Sequence, residues 1–210
     1  MEAGQKRPAA TPPRRTQSER RAETRARLLD ATVESLITVG YAGTTIRHVT
    51  EHAGVSQGAQ SHHFPHRVDL VASAFEHLAE QRIDRYRERA AELPDDRAAR
   101  RIALLDLLWE YFSSPLFTVA VKLWVAAAED GELRRRLVPV EERIYADICE
   151  LAREVAGELG RDPQFDRKLA VAMNTVAGLA LMREFDPSGR AAKGNQWPDH
   201  RAALEPLFEG

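Results

Sequence analysis

The stretch TTIRHVTEHAGVSQGAQSHHF, residues 44–64, predicts two short helices joined by a tight turn. Either threonine at its start can cap the first helix, because a threonine hydroxyl accepts a hydrogen bond from a free amide of the first turn. Gly54 then breaks that helix, and Ser56 can cap a second helix that starts at Gln57. Helices joined by so short a turn must cross steeply, which is the geometry of a helix-turn-helix.

The apolar and polar side chains of this stretch divide between an inner and an outer face. The residues that can pack inward are Ile46, Val49, Ala53 and Val55. The second helix starts with polar side chains, and glutamine can make paired hydrogen bonds to adenine in a major groove. The polar residues with this reach are Gln57, Gln60 and Ser61. Polar helix starts also occur on ordinary surfaces, so this pattern favours DNA recognition only together with the rest of the chain.

The segment before the motif combines a basic tail with an amphipathic helix. Residues 1–17 contain three prolines and four basic residues and little apolar area, so we expect a disordered tail. From Ser18 onward, apolar side chains return to one face until Gly40 ends the helix. This helix and the two short ones predict a three-helix DNA-binding unit over residues 18–65.

The rest of the chain, residues 66–210, is predicted to form a larger helical body. Prolines and glycines punctuate it, and no strand-like alternation with hairpin signals competes with a helical pattern. The predicted helices cover residues 66–91, 95–113, 116–129, 132–158, 163–185 and 198–208. The sequence therefore predicts an all-α fold, with the three-helix unit followed by a helical bundle.

Charge is distributed unevenly along the 210 residues, whose formal net charge is -2. Residues 1–67 hold 10 Lys or Arg against 6 Asp or Glu, whereas residues 68–210 hold 20 against 26. The basic end is the one suited to a polyanion such as DNA. No apolar run approaches the roughly 20 residues of a membrane span. With no secretory signal pattern and a single cysteine, Cys149, we expect a cytoplasmic protein.

Six of the seven histidines lie between positions 48 and 77, around the motif. His48 and His52 are one helical turn apart, and His62, His63 and His66 follow them, so a shared metal ion is one interpretation. No acidic pair or cysteine nearby completes a ligand set. We therefore expect a solvated helix face at the first pair, phosphate contact at His62, and neither a metal nor a cofactor.

Enzymatic signatures are absent from the sequence. It contains no glycine-rich phosphate loop and no Ser-His-Asp or Cys-His pattern in a recognisable context. The alternative from another class is a helical enzyme or carrier that binds an apolar compound and no DNA. The stretch at residues 44–64 argues against that alternative.

Caps, turn, core and spacing together make the chain similar to one known family over about Arg25 to Leu70. The features that match are Leu28-Leu29, Gly40-Tyr41, Thr44-Thr45, Ala53-Gly54-Val55-Ser56, Gly58, His63-Phe64 and Leu70. In these the chain resembles the tetracycline-repressor (TetR) family. The resemblance implies a dimeric, ligand-responsive transcriptional regulator, usually a repressor, whose third helix enters the major groove of a palindromic operator. Residues 71–210 match only in helical architecture and length.

The resemblance also implies roles for single side chains of the motif. Arg47 and Gln57 align with positions that can reach bases. The residues that align with positions contacting phosphates, or orienting groups toward them, are Thr45, Ser56, His62, His63 and Arg67. Ser61 stands where the family most often has tyrosine, which puts phosphate anchoring there in doubt. Gln60 stands where the family often has leucine, and its longer polar side chain could offset that loss, so both belong to the predicted DNA-binding set.

Aromatic side chains are concentrated between positions 104 and 124 of the helical body. Most of them are expected to be ordinary core, but a cavity between helices would draw on the same residues, with Trp and Tyr as polar handles. We predict a hydrophobic pocket for a small apolar effector. Its predicted lining is Leu105, Trp109, Tyr111, Phe112, Phe117 and Trp124.

One face of the helix predicted at residues 163–185 carries small and apolar side chains that would let a partner helix approach closely. Together with the last helix it could form a symmetric four-helix contact between two subunits, or it could bury against its own subunit. The resemblance favours a homodimer. The predicted interface comprises Met173, Val176, Ala177, Ala180, Leu181, Leu204 and Leu207.

Overall fold

The computed structural model describes residues 16–184 and 196–209, and every regular element in these ranges is a helix. The first four helices are α1 (Gln17–Thr38), α2 (Gly40–Gly43), α3 (Ile46–Ala53) and α4 (Gln57–His63). The others are α5 (Arg67–Ala91), α6 (Arg97–Phe112), α7 (Pro115–Glu129), α8 (Gly131–Ala156), α9 (Phe165–Glu184) and α10 (Trp197–Leu204). Turns of 3-10 helix at Gly157–Arg161 and Glu205–Phe208 follow α8 and α10. The predicted all-α fold is confirmed.

The start of α1 shortens the predicted disordered tail. Residues 1–15 of that tail lie outside the described residues. Thr16 caps α1, because its hydroxyl accepts a hydrogen bond from the Glu19 amide at 3.2 Å and the Glu19 carboxylate accepts one from the Thr16 amide at 2.6 Å. This reciprocal pair satisfies amide groups that the helix start would leave free, so Gln17 already belongs to the helix.

The predicted helix boundaries agree with the observed ones to within two residues, and α2 is the one addition. Gly40, with φ at +70°, ends α1 as expected. A single helical turn then follows before Thr44, too short to leave a periodic pattern in the sequence. The predicted last helix at residues 198–208 is divided into α10 and a 3-10 turn.

Two hydrophobic cores share α5. The smaller core joins α1, α3 and α4 through side chains such as Leu28 and Phe64, and Leu70 of α5 completes it. The larger core extends from α5 to the last turn of the chain and includes Phe75. One continuous helix, α5, therefore contributes side chains to both cores. The predicted boundary between residues 65 and 66 falls just before this shared helix.

Helices α6 and α7 lie in the larger core. Pro115 begins α7, where its fixed φ suits a helix start and no amide donor is needed. Leu104, Leu108, Leu116 and Leu123 are fully buried on the two helices. In the described ranges no single helix has both the length and the apolar character of a membrane span, although this pair, bent by 52°, meets that test together.

Candidate nucleic-acid interface and effector cavity

Hydrogen bonds to the first turns of α3 and α4 fix where these helices begin. The Thr45 hydroxyl accepts from the His48 amide at 3.1 Å, and the Ser56 hydroxyl accepts from the Ala59 amide at 3.2 Å. Between the helices Gly54 adopts φ 61° and ψ 40°, a left-handed conformation that glycine reaches without steric cost. The caps and the turn predicted for the helix-turn-helix are confirmed.

An arginine from α1 holds the turn from behind. The Arg27 guanidinium donates hydrogen bonds to the carbonyls of Ala53 and Gly54, the second at 3.2 Å. A Cβ atom added at Gly54 would lie 2.8 Å from Arg27 Nη2, closer than real Cβ contacts. The crossing of α3 and α4 is therefore tied to α1 as well as to the local backbone.

The solvent-facing start of α4 carries groups free to bind a partner. Gln57 is exposed, and its side chain makes no hydrogen bond to any residue that the structure describes. Ser61 is also exposed and donates its hydroxyl to the Gln57 carbonyl at 2.9 Å. The Arg47 side chain on α3 is 80% exposed and lies 2.8 Å from the Glu51 carboxylate. Exposed ion pairs contribute little stability, so Arg47 can exchange this partner for a base or a phosphate.

Gln60 does not face the solvent, which corrects the expectation that it contacts DNA. The residue is 2% exposed, and its side-chain amide donates to the Phe64 carbonyl at 2.6 Å. Its side chain turns toward Phe64, which belongs to the small core. Its polar group satisfies the last turn of α4 instead of a base.

Arg67 is also committed within the protein, which favours the second of its two predicted roles, orienting a group that contacts phosphate. Its guanidinium donates to the carbonyls of Tyr41 and Thr44, the latter at 2.6 Å, and stacks 3.9 Å from the centre of the Tyr41 ring. Arg67 thus fixes the segment that precedes the α3 cap. An effect of Arg67 on DNA binding would be exerted by positioning Thr45.

Arg21 and Arg25 of α1 form a basic edge beside α4. This edge was not predicted from the sequence. Arg21 Nη2 lies 2.6 Å from His62 Nε2, and Arg25 lies over the Phe64 ring at 5.5 Å. Burial, together with the charges of His62 and the two arginines, lowers the pKa of His63. The signal available in the sequence was the four-residue spacing of the two arginines, which puts them on one helix face.

The histidines of α3 have partners on a solvated face. His48 and His52 stack with ring centres 6.5 Å apart. His52 Nε2 also lies 2.7 Å from a Glu34 carboxylate oxygen on α1. These contacts place the pair beside α1, on the exposed side of α3.

The DNA-binding unit is connected to the turn between α7 and α8. The Tyr41 hydroxyl donates to the Asp130 carboxylate at 2.8 Å, and Asp130 also caps α8 by accepting from the Glu132 and Leu133 amides. Burial and this hydrogen bond raise the pKa of Tyr41, whereas the hydrogen bonds from Leu133 and Tyr41 lower the pKa of Asp130. One carboxylate therefore joins the first turn of α8 to the segment just before α3.

A cavity of about 390 Å³ lies between α6, α7, α8 and α9. Four of the residues predicted for an effector pocket line it, namely Tyr111, Phe112, Phe117 and Trp124. Helix α8 contributes Glu141, Ile144, Tyr145 and Ile148. Helix α9 contributes Ala170, Met173, Asn174, Ala177, Gly178 and Leu181. Its volume is in the range of pockets that hold small organic ligands.

Leu105 and Trp109, also predicted for this pocket, lie elsewhere. Leu105 is fully buried in the core. The Trp109 ring stacks on Trp197 of α10 at 4.9 Å, and Arg183 lies over it at 5.1 Å. Composition did indicate an aromatic region, but it could not tell which side of α6 would face a void.

Besides the Trp124 indole, four side chains bring polar groups to the lining of the cavity: Glu141 and Tyr111, and the exposed Tyr145 and Asn174. The Trp124 indole N–H donates to the Glu141 carboxylate at 2.6 Å, and burial raises the pKa of Glu141 despite this bond. Tyr111 is 8% exposed, and its hydroxyl has no hydrogen-bond partner among the described residues. Burial and the nearby Glu141 charge raise the pKa of Tyr111. The sequence signal missed was Glu141 itself, which shares a helical stripe with Ile144 and Ile148.

Most of the residues predicted for the dimer interface lie on the inner sides of α9 and α10, not on an exposed face. Four of the predicted residues are buried within their own subunit, namely Met173, Val176, Ala180 and Leu204. Ala177, Leu181 and Leu207 are partly buried, and the first two line the cavity. The exposed face instead carries Val171 (47% exposed), Thr175 and Met182 (63%), at the spacing of a helix-packing stripe that also includes Gly178 at the edge of the cavity. The stripe seen in the sequence was the inner face of the helix.

Comparisons with known proteins agree with this geometry. The model of bacterial regulatory proteins of the tetR family matches residues 28–74, which end inside α5 where the small core is completed. The chain is 40% identical over 175 residues to the HTH-type transcriptional regulator CymR of Pseudomonas putida, covering 81% of this chain and 84% of CymR.

Solved structures share the fold over nearly the whole chain. A transcriptional regulator from Saccharomonospora viridis in complex with choline superposes with a TM-score of 0.65 at 18% identity, covering 90% of this chain and 96% of that one. The regulator FadR from Bacillus subtilis in complex with stearoyl-CoA gives 0.63 at 16% identity, covering 88% and 98%. The match to the family model and the 40% identity to CymR show that the chain belongs to the tetR family of DNA-binding transcriptional regulators.

Proposed function

We propose that this protein is a cytoplasmic repressor that binds a palindromic operator as a homodimer and leaves it when a small effector occupies the cavity. The observation that carries the proposal is the exposed start of α4. There an unpaired Gln57 follows a turn that Gly54 and Arg27 hold in one conformation. The family of regulators to which the chain belongs makes the alternative, an enzyme or carrier that binds no DNA, the less favoured one.

Sequence reading is assigned to Gln57 and Arg47, and phosphate contact to the surrounding polar groups. Base contacts carry sequence information, whereas phosphate contacts fix register and contribute most of the non-specific affinity. The residues proposed for phosphates are Thr45, Ser56, Ser61, His62 and His63, with Arg21 and Arg25 added from the basic edge. All of these except the partly buried His63 are exposed, which supports the assignment.

Dimerisation is assigned to the exposed stripe of α9, from Val171 to Met182. Two of its members are exposed large apolar side chains that a partner helix would cover. At Gly178 an added Cβ would meet nothing within 4 Å, so a second helix has room to approach. A twofold contact there would present two copies of α4 to successive half-sites.

Coupling between effector and operator is assigned to α7, α8 and α9. Trp124 of α7 and Glu141 of α8 line the cavity, and Asp130, between these two helices, holds Tyr41 of the DNA-binding unit. The Lys122 ammonium of α7 donates to the Ile37 carbonyl of α1 at 3.3 Å, which adds a second link. An effector that favours another packing of α7 can change the position of α4 only by its difference in affinity for the two states.

Selection of duplexes from a random pool by the full-length protein tests the proposal. We expect an inverted repeat whose half-site centres are about 10 base pairs, or a multiple of that, apart. A screen of small lipophilic compounds against the selected duplex should then yield ligands that weaken binding at least about tenfold. Enriched sequences without twofold symmetry would contradict operator binding by a symmetric homodimer. Ligands that bind the cavity without affecting DNA affinity would contradict regulation by effector.

A further inference from the structure

The ionisable side chains that the structure describes in the lining of the cavity are acids, without a basic side chain to balance them. Among the described residues that line it, Glu141 is the one ionisable acid apart from the tyrosines, and no Lys, Arg or His is present. An effector with a carboxylate or phosphate would therefore meet a like charge and no counter-ion. Because buried like charges repel strongly in a medium of low dielectric constant, the lining disfavours anions.

The Glu141 carboxylate also has capacity to spare. Trp124 Nε1 is its one hydrogen-bond partner within the described part of the chain, and that bond occupies a single lone pair of Oε1. The Tyr111 hydroxyl is nine-tenths buried, lines the same space and has no hydrogen bond to a described residue. Buried polar groups are normally paired, so the Tyr111 hydroxyl and the free acceptor sites of Glu141 are groups with which a ligand in the cavity can pair.

The remaining lining determines what the rest of such a ligand must be. Phe112, Phe117 and Trp124 present aromatic surfaces, and Met173 and Leu181 present aliphatic ones. Aromatic faces attract cations as well as apolar groups. Phe117 stands edge-on to both Phe112 and Trp124, with ring centres 5.0 and 6.0 Å away, so the aromatic side of the cavity is continuous.

We propose that the effector of this regulator is a lipophilic ammonium compound, whose charged N–H group binds Glu141 and the Tyr111 hydroxyl while its apolar body fills the aromatic part of the cavity. This inference rests on the proposed function, since it assigns a chemical class to the effector of the same cavity. It excludes acids of the same shape and makes Glu141 the residue that determines specificity.

Three probes that share a 4-butylphenyl body test the charge preference. They are 4-butylbenzylamine, 4-butylbenzyl alcohol and 4-butylbenzoate, titrated calorimetrically into the full-length protein at pH 7. The amine should bind at least about tenfold more tightly than the alcohol, because a charge-assisted hydrogen bond is about twice as strong as a neutral one. The benzoate should bind most weakly.

Two variants separate the carboxylate from general effects. Glu141→Gln keeps the shape of the side chain and an oxygen that can accept from Trp124, so the fold should persist, while the amine should lose its advantage over the alcohol. Glu142→Gln removes the same charge from the neighbouring exposed position, and this variant should still bind the amine more tightly than the alcohol. Tyr111→Phe should weaken the amine and the alcohol alike, by about threefold to tenfold.

The outcomes distinguish this inference from the proposed function. Benzoate binding as tight as that of the amine, a preference that survives Glu141→Gln, or no binding of any probe at millimolar concentration would overturn the ammonium assignment. If the benzoate or the alcohol released the operator and the amine did not, the ammonium assignment would be overturned, while regulation by an effector would stand. Conversely, an amine preference that depends on Glu141, without any change in operator affinity, would establish the ligand site and refute its regulatory use.

Discussion

The helix-turn-helix and the cavity differ in how they treat their polar groups. In the helix-turn-helix, groups near the helix ends have partners: Ser56 accepts an amide, Gln60 donates to a carbonyl, and Arg27 holds the turn. In the cavity, Tyr111 and Glu141 keep hydrogen-bonding capacity unused. The first region is preorganised, so binding DNA costs it little ordering, whereas the second is incomplete until a ligand enters.

The largest expected effect concerns α9, which borders the cavity on one face and solvent on the other. Thr175→Arg should separate the subunits and raise the dimer dissociation constant at least about 100-fold, because two like charges would face each other across a twofold axis. Sedimentation at micromolar concentration measures this. Val125→Arg, at an apolar position of α7 that is 69% exposed, is the matched control and should remain dimeric. A Thr175→Arg dimer of unchanged affinity would leave α9 as a cavity wall only.

The next effect tests how rigid the turn must be. Gly54→Val places a branched side chain in a left-handed conformation and against Arg27, so the free energy of unfolding should fall by about 2 kcal/mol or more. Gly58→Ala is the control, since its new Cβ would meet nothing within 4 Å and alanine favours helices by up to about 1 kcal/mol. Urea denaturation compares the two. Equal stabilities would mean that the turn is not preorganised.

Two glutamines on the same helix make the comparison sharper. Gln60→Ala leaves the Phe64 carbonyl without its buried donor and should lower the free energy of unfolding by about 1 to 3 kcal/mol. Gln57→Ala changes an exposed side chain and should stay within about 0.5 kcal/mol of the wild type. The same urea titrations apply. If Gln57→Ala were the more destabilising, the assignment of inner and outer faces of α4 would be reversed.

The smallest effect concerns the link between the two regions. Tyr41→Phe removes the hydrogen bond to Asp130 and should cost about 0.5 to 1.5 kcal/mol of stability while reducing the change in operator affinity that an effector produces. Tyr86→Phe, within α5 and away from that link, should leave the effector response unchanged. The measured quantity is the ratio of operator dissociation constants with and without a saturating releasing compound. A full response in Tyr41→Phe would move the coupling to another contact.

The fold was predictable because its signals are local, whereas parts of the site depend on neighbours distant in sequence. Caps at Thr45 and Ser56 and the break at Gly54 follow from residue types a few positions apart. The inward orientation of Gln60 depends on where Phe64 ends the helix, and glutamine at a core position gives no apolar signal. Periodicity found the stripes of α9 but not which one faces solvent, since that choice depends on α6 and α8.

The residues that line the cavity were also only partly predictable from the sequence. Tyr111, Phe112, Phe117 and Trp124 were predicted as a group because aromatic residues are concentrated there. Glu141 was missed because a lone acid on a charged helix resembles a surface residue until three other helices are placed around it. A void has no sequence signature of its own, since it forms where side chains from separate elements fail to meet.

The most direct test of the central claim is the specificity of Gln57→Ala. Binding of this variant and of the wild type should be titrated on the selected operator and on a scrambled duplex of equal length, at one salt concentration because phosphate contacts depend on salt. The variant should lose about 1 to 3 kcal/mol on the operator while its affinity for scrambled DNA stays within about twofold, so the specificity ratio falls. An unchanged ratio would contradict the account, because the exposed start of α4 would then not read sequence.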